Sequence, residues 1–149
     1  MLEGVRRCRP QSKDLRLPIT FDLLKMILTY LPSICKSNYE TKLFRGAFSL
    51  SFHGFFRIGE IAVNNHEVRH TLLLQNVNFL NSVLSVRLST SKTNQFGRGV
   101  TISTDSQVDK TVCPVFVLKD FISVRLPNVG PSFCHFDGSP LTRYQFVSI

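Results

Sequence analysis

The stretch Ser49–Val63, SLSFHGFFRIGEIAV, places Arg57 and, three positions on, Glu60 in a run that, His53 apart, is otherwise apolar or small. A guanidinium carries five donors, stays protonated at any working pH and is costly to bury alone, so Arg57 needs an anion. Glu60 can supply it as an i,i+3 helix-surface ion pair, worth only about 0.3 kcal/mol. A phosphate from outside can also supply it. Lys92, in the polar segment SKTNQFGRG, taken singly is a solvated turn lysine. Taken together, an arginine on an apolar helix and a lysine at a hairpin tip can direct two cations at one phosphate.

Other chemistry finds less support. HEVRH, from His66 to His70, matches H-E-x-x-H, in which a helix offers two imidazoles to zinc and a glutamate to water. Asn64 and Asn65 precede it, no third ligand follows at the expected spacing, and Arg69 would put positive charge beside the metal, so the context argues against a zinc hydrolase. G-x-S-x-G, P-loop and G-x-G-x-x-G strings do not occur, and the acidic residues are too scattered to form an acid/base pair. Cys8, Cys35, Cys113 and Cys134 lie far apart without a C-x-x-C pair, and they read as free thiols in a reducing compartment.

With 18 Lys+Arg against 10 Asp+Glu, the chain carries a formal charge of +8. That favours a polyanionic partner: nucleic acid first, with acidic lipid or plain solubility behind it. Arg6, Arg7, Arg9 and Lys13 crowd the amino end, where they suit either an exposed strap on phosphates or a solvated leader. The 149 residues fit one domain, and 43% apolar content with 13 Phe suffices for a core. Neither a membrane span nor a signal peptide is evident, so a nuclear or otherwise intracellular protein with no membrane partner is expected.

The elements that must position these residues follow from periodicity. Residues 1–17 read as a basic linker and 18–149 as the folded part. Thr20 is the expected N-cap of a helix bearing Phe21, Leu24, Ile27, Leu28 and Leu31, stopped by Pro32. A second helix is expected from Asn38 to Ala62, with Gly46, Gly54 and Gly59 admitting close approach of another backbone. Val77–Leu80, Val83–Ser89 and a third strand through Val100 and Ile102 make a three-stranded antiparallel meander, with Asn81-Ser82 as one turn and SKTNQFGRG as the other. Cys113-Pro114 opens another amphipathic helix, and Thr142 caps a last one, TRYQFVSI. The expected fold is mixed α+β, mainly α-helical with a small meander.

Five segments fall in the order of a known family: RLPIT opening the first helix, LFRGAFSLSFHGFFRIGEI with its R-x-x-E box, SKTNQFGRG, CPV, and GSPLTRYQF. From about Leu17 to Phe146 the chain resembles the amino-terminal half of the tyrosine recombinase (phage integrase) catalytic domain, especially in Crypton-like and related retroelement recombinases of eukaryotes. The resemblance implies type IB strand transfer on double-stranded DNA through a 3′-phosphotyrosine, with no cofactor or metal and with a homo-oligomer assembled on DNA. It implies that Arg57 clamps the scissile phosphate, Glu60 supports it, and Lys92 acts as general acid on the leaving 5′ oxygen. Arg6, Arg7, Arg9, Lys13 and Arg98 are then DNA contacts. The family's H/K-x-x-R box and nucleophilic tyrosine have no counterpart in these residues, and Tyr30, Tyr39 and Tyr144 do not match the nucleophile's position. The expectation is a domain truncated before those boxes and inactive alone. The alternative is a noncatalytic interaction or regulatory protein derived from a recombinase.

Overall fold

The computed structural model describes residues 17–64, 68, 70–89 and 99–149. Its first helix, α1 (Phe21–Ile34), begins as capping chemistry requires: the Thr20 hydroxyl accepts the Leu23 N–H at 3.3 Å. The face that repeats at three and four residues, Leu24, Leu28 and Leu31, is buried, whereas Phe21 stays exposed.

The central element is α2 (Asn38–Gly54). Ser37 caps it by accepting the Glu40 N–H at 3.1 Å, and the Glu40 carboxylate reaches back to the Lys36 N–H at 2.7 Å. Leu43, Phe44, Ala47 and Leu50 are buried along it, and α1 packs against it. A short helix, α3 (Ile58–Ile61), follows it. The third long helix, α4 (Pro114–Val124), starts with proline at its first position, where a missing N–H costs nothing. It crosses α2 at Gly46, where a Cβ would stand 3.4 Å from Phe133 Cε1 and 3.5 Å from Phe121 Cβ. Buried Ser49 donates from its hydroxyl to the Val112 carbonyl at 2.7 Å, and Lys42 pairs with Asp120 at 2.8 Å, fixing the two helices laterally.

A three-stranded antiparallel sheet, β1 (Val77–Leu80), β2 (Val83–Leu88) and β3 (Val100–Asp105), has the order β1-β2-β3. Asn81 takes a left-handed φ of 54° at the first turn, a conformation that asparagine tolerates better than most residues. Alternation sends Leu84, Val86 and Leu88 of β2 into the core, while Arg87 faces out. A short helix, α5 (Arg143–Ser148), follows a capping box in which Thr142 and Gln145 exchange hydrogen bonds. Cys35, Cys113 and Cys134 are free thiols.

Three expectations need correction. Pro32 does not stop α1, which runs to Ile34: the proline denies a donor only to the Leu28 carbonyl, while Leu31 O accepts the Cys35 N–H at 2.9 Å and Tyr30 O accepts the Ser33 hydroxyl at 2.7 Å. The helix expected from Asn38 to Ala62 breaks after Gly54, and the four residues of α3 form separately. At the break Phe55 turns left-handed, with φ 52° and its ring 91% exposed, while Phe56 folds back into the core. A Cβ on residue 54 would lie 2.2 Å from the Phe56 ring, so glycine is required there. The close partners of Gly46 and Gly54 are thus aromatic side chains rather than backbone. A Cβ added to Gly59 would meet nothing within 4 Å, so that glycine serves no close approach.

The glycines therefore separate experimentally. Gly46→Leu should lower unfolding free energy in urea by about 2 kcal/mol through overpacking against Phe121 and Phe133. Gly59→Ala, in helix and in open space, should leave stability unchanged or raise it by about 0.5 kcal/mol.

Candidate nucleic-acid interface

Arg57 does not sit inside a helix. It is the N-cap residue of α3, at φ −72° and ψ 150°, and its side chain is exposed. Glu60, at the third position of α3, does not pair with that guanidinium: its carboxylate accepts the Arg57 backbone N–H at 2.8 Å, while the Glu60 N–H donates to the Arg57 carbonyl at 2.8 Å. One acidic side chain thus satisfies an orphan donor at the helix start, where the dipole also favours negative charge. The guanidinium forms no ion pair with a described residue. It is a cation left available on a backbone that is held in place.

The hold extends through a relay of hydrogen bonds. The Glu60 carbonyl accepts the Leu72 N–H at 2.7 Å, and the Leu72 carbonyl accepts the Ser132 N–H at 2.7 Å. Residue 132 belongs to the loop after α4, which is organised by Arg125. Arg125 is 7% exposed and donates to four carbonyls: Nε to Ser132 at 3.0 Å, Nη1 to Leu126 at 2.6 Å and to Asn128 at 3.0 Å, and Nη2 to Pro131 at 2.7 Å. On the other side of α3, Val63 donates to Leu141 O and accepts from Arg143 N, both at 2.9 Å. Arg57 is therefore presented by a turn fixed from two directions.

Lys92 and Arg98 lie outside the described residues, as do Arg6, Arg7, Arg9 and Lys13. Of the strands on either side of Lys92 in the sequence, the register is described: Leu88 pairs with Val100, so β2 ends beside the start of β3. The segment leading into β1 reaches the same end, where Asn76 Nδ2 approaches Ser89 Oγ at 3.4 Å. Since Leu72 in that segment is bonded to Glu60, the Arg57 turn and the base of the hairpin are linked by a few residues of backbone. Of HEVRH, only Val68 and His70 are described, and among the described residues no three metal-ligating side chains gather.

The three tyrosines have different surroundings. Tyr39 donates to the Cys134 carbonyl at 2.9 Å, and burial, with Cys134 nearby, pushes its phenol well above the ordinary value. Such a hydroxyl is held protonated and suits packing, not attack. Tyr30 and Tyr144 are exposed on α1 and α5. No helix among the described residues is long and apolar enough to cross a membrane. Comparison with protein families, curated proteins and solved structures finds no match to this chain.

Sequence reasoning missed Arg125. Its signal was an arginine closing an apolar helix directly before a loop with Pro127, Gly130 and Pro131, whose carbonyls lack a regular ladder partner.

Replacing the two charged residues of the R-x-x-E box should therefore give opposite results in chemical unfolding. Arg57→Ala, which removes an exposed side chain without an ion-pair partner among the described residues, should change stability by less than about 0.5 kcal/mol. Glu60→Ala removes the cap and should cost about 1 kcal/mol, most of it restored in Glu60→Gln, which keeps an acceptor oxygen.

Proposed function

We propose that this chain is the DNA-binding, phosphate-clamping part of a site-specific tyrosine recombinase, with Arg57 gripping a backbone phosphate and Lys92 approaching the same phosphate from the hairpin. The observation that carries the reading is the exposed Arg57 guanidinium, which has no ion pair among the described residues because its nearest acid in sequence is engaged with backbone. An arginine fork matches two nonbridging oxygens of a phosphodiester, and a mobile ammonium matches a leaving alkoxide. The +8 formal charge supports a polyanionic partner, and the order of helices and meander is compatible with the family's partial catalytic fold. DNA is the substrate class, and self-association on DNA belongs to the same proposal.

Duplex binding, followed by fluorescence anisotropy, should weaken steeply as salt rises from about 50 to 200 mM. Arg57→Ala should weaken it by about tenfold without loss of fold, consistent with the removal of a charge-assisted contact. On a nicked suicide duplex, the chain should form no covalent adduct, because none of its three tyrosines stands at the family's nucleophile position. A salt-independent affinity, or equal affinity in Arg57→Ala, would instead favour a noncatalytic interaction protein.

A further inference from the structure

A cleft opens at the base of the β2–β3 hairpin, between residues 70–76 and the end of β2. Its walls include Arg87, Ser89, Asn76, His70 and Thr71, and no carboxylate lines it among the described residues. Arg87 stands on the solvent face of β2, and its guanidinium forms no ion pair with a described residue. The residue diagonal to it across the sheet is Gly99. A Cβ there would lie 2.8 Å from Leu88 O and 3.3 Å from Arg87 Nε, so glycine leaves the arginine room beside the strand.

Thr71 supplies an independent sign. It is 7% exposed, and its hydroxyl is buried without a hydrogen-bond partner among the described residues. A polar atom in that position costs free energy until an oxygen or donor meets it. The cavity, about 30 Å³, admits a group of water or oxyanion-oxygen size but no ring. Donors, positive charge and small volume together select one oxyanion projecting from a larger ligand.

We infer that this cleft is a second phosphate subsite, which takes a duplex backbone phosphate other than the one at Arg57, with Arg87 as its charged contact and Ser89, Asn76 and Thr71 as hydrogen-bonding walls. The inference rests on the DNA-binding reading. The backbone link from Glu60 through Leu72 to Asn76 makes the two subsites parts of one rigid surface, so the spacing between two phosphates can be read as shape.

The test uses the full chain and a labelled duplex, with Arg87→Gln, Thr71→Val and, as a charge control outside the cleft, Lys110→Gln. Arg87→Gln should weaken binding about fivefold on every sequence and reduce the slope of log affinity against log salt by about one. Thr71→Val, which alters no charge, should weaken binding about twofold with the slope unchanged. Circular dichroism checks that each variant is folded, and Thr71→Val carries the test if Arg87→Gln is not. Arg87→Gln behaving as Lys110→Gln, while Arg57→Ala still loses affinity, would overturn the subsite and leave the DNA-binding reading standing. If the wild type shows no salt-dependent duplex binding, the DNA-binding reading fails first. Inorganic phosphate then decides the cleft: a shift of the Arg87 Nε–H nuclear magnetic resonance signal, absent in Arg87→Gln, supports a free-phosphate site, and no shift overturns it.

Discussion

A buried guanidinium surrounded by carbonyls holds the loop on which the candidate interface rests. Arg125 closes α4, where the helix dipole favours a cation, and gathers the carbonyls of Leu126, Asn128, Pro131 and Ser132. Burying a charge is expensive, and here four hydrogen bonds offset the loss of water with no described carboxylate at ion-pair distance. The ordered loop then presents Ser132 N–H to Leu72, Leu72 presents its N–H to Glu60, and Glu60 fixes the backbone of Arg57. One cation is buried so that another stays exposed.

Arg57 is exposed on a turn because α2 ends at Gly54. The break sets a left-handed Phe55, a strain of about 1–3 kcal/mol, against the burial of Phe56, worth about 1.5–3 kcal/mol. The terms are comparable, so neither alone decides the conformation. Val63, bonded to both Leu141 and Arg143, adds a second anchor beyond α3 and tips the balance toward the turn. Had the helix run on, Arg57 and Glu60 would have stood one helical turn apart, within reach of a weak surface ion pair.

How much of this could be read from residue order depends on the range of the forces involved. The cap at Thr20, the opening of α4 at Pro114, the cap at Thr142 and the meander with its inward Leu84, Val86 and Leu88 all follow from contacts within a few residues, and they were expected where they occur. The end of α2 was not, because an apolar run through Phe55 and Phe56 has the same periodicity whether the helix continues or turns back on itself. Arg125 was missed although its four carbonyl partners lie within seven residues, because periodicity does not say that the loop curls round the guanidinium, and nothing local marks the Thr71 hydroxyl as buried without a partner among the described residues. The pairing of Arg57 with Glu60 was foreseen in residues and not in atoms, since the carboxylate binds backbone instead of side chain.

Local order alone was enough to establish a basic, mixed α+β chain with an arginine and a glutamate three apart and a lysine in the sequence between the second and third strands, because charge, capping and alternation act over a turn or a strand pair. Which side of the molecule Arg57 faces, and whether its charge is free, depended on the fold as a whole. Those outcomes turn on the burial of Phe56 and on the bonds of Leu72 to Glu60 and Ser132 and of Val63 to Leu141 and Arg143, whose partners meet only after the helices and sheet have packed.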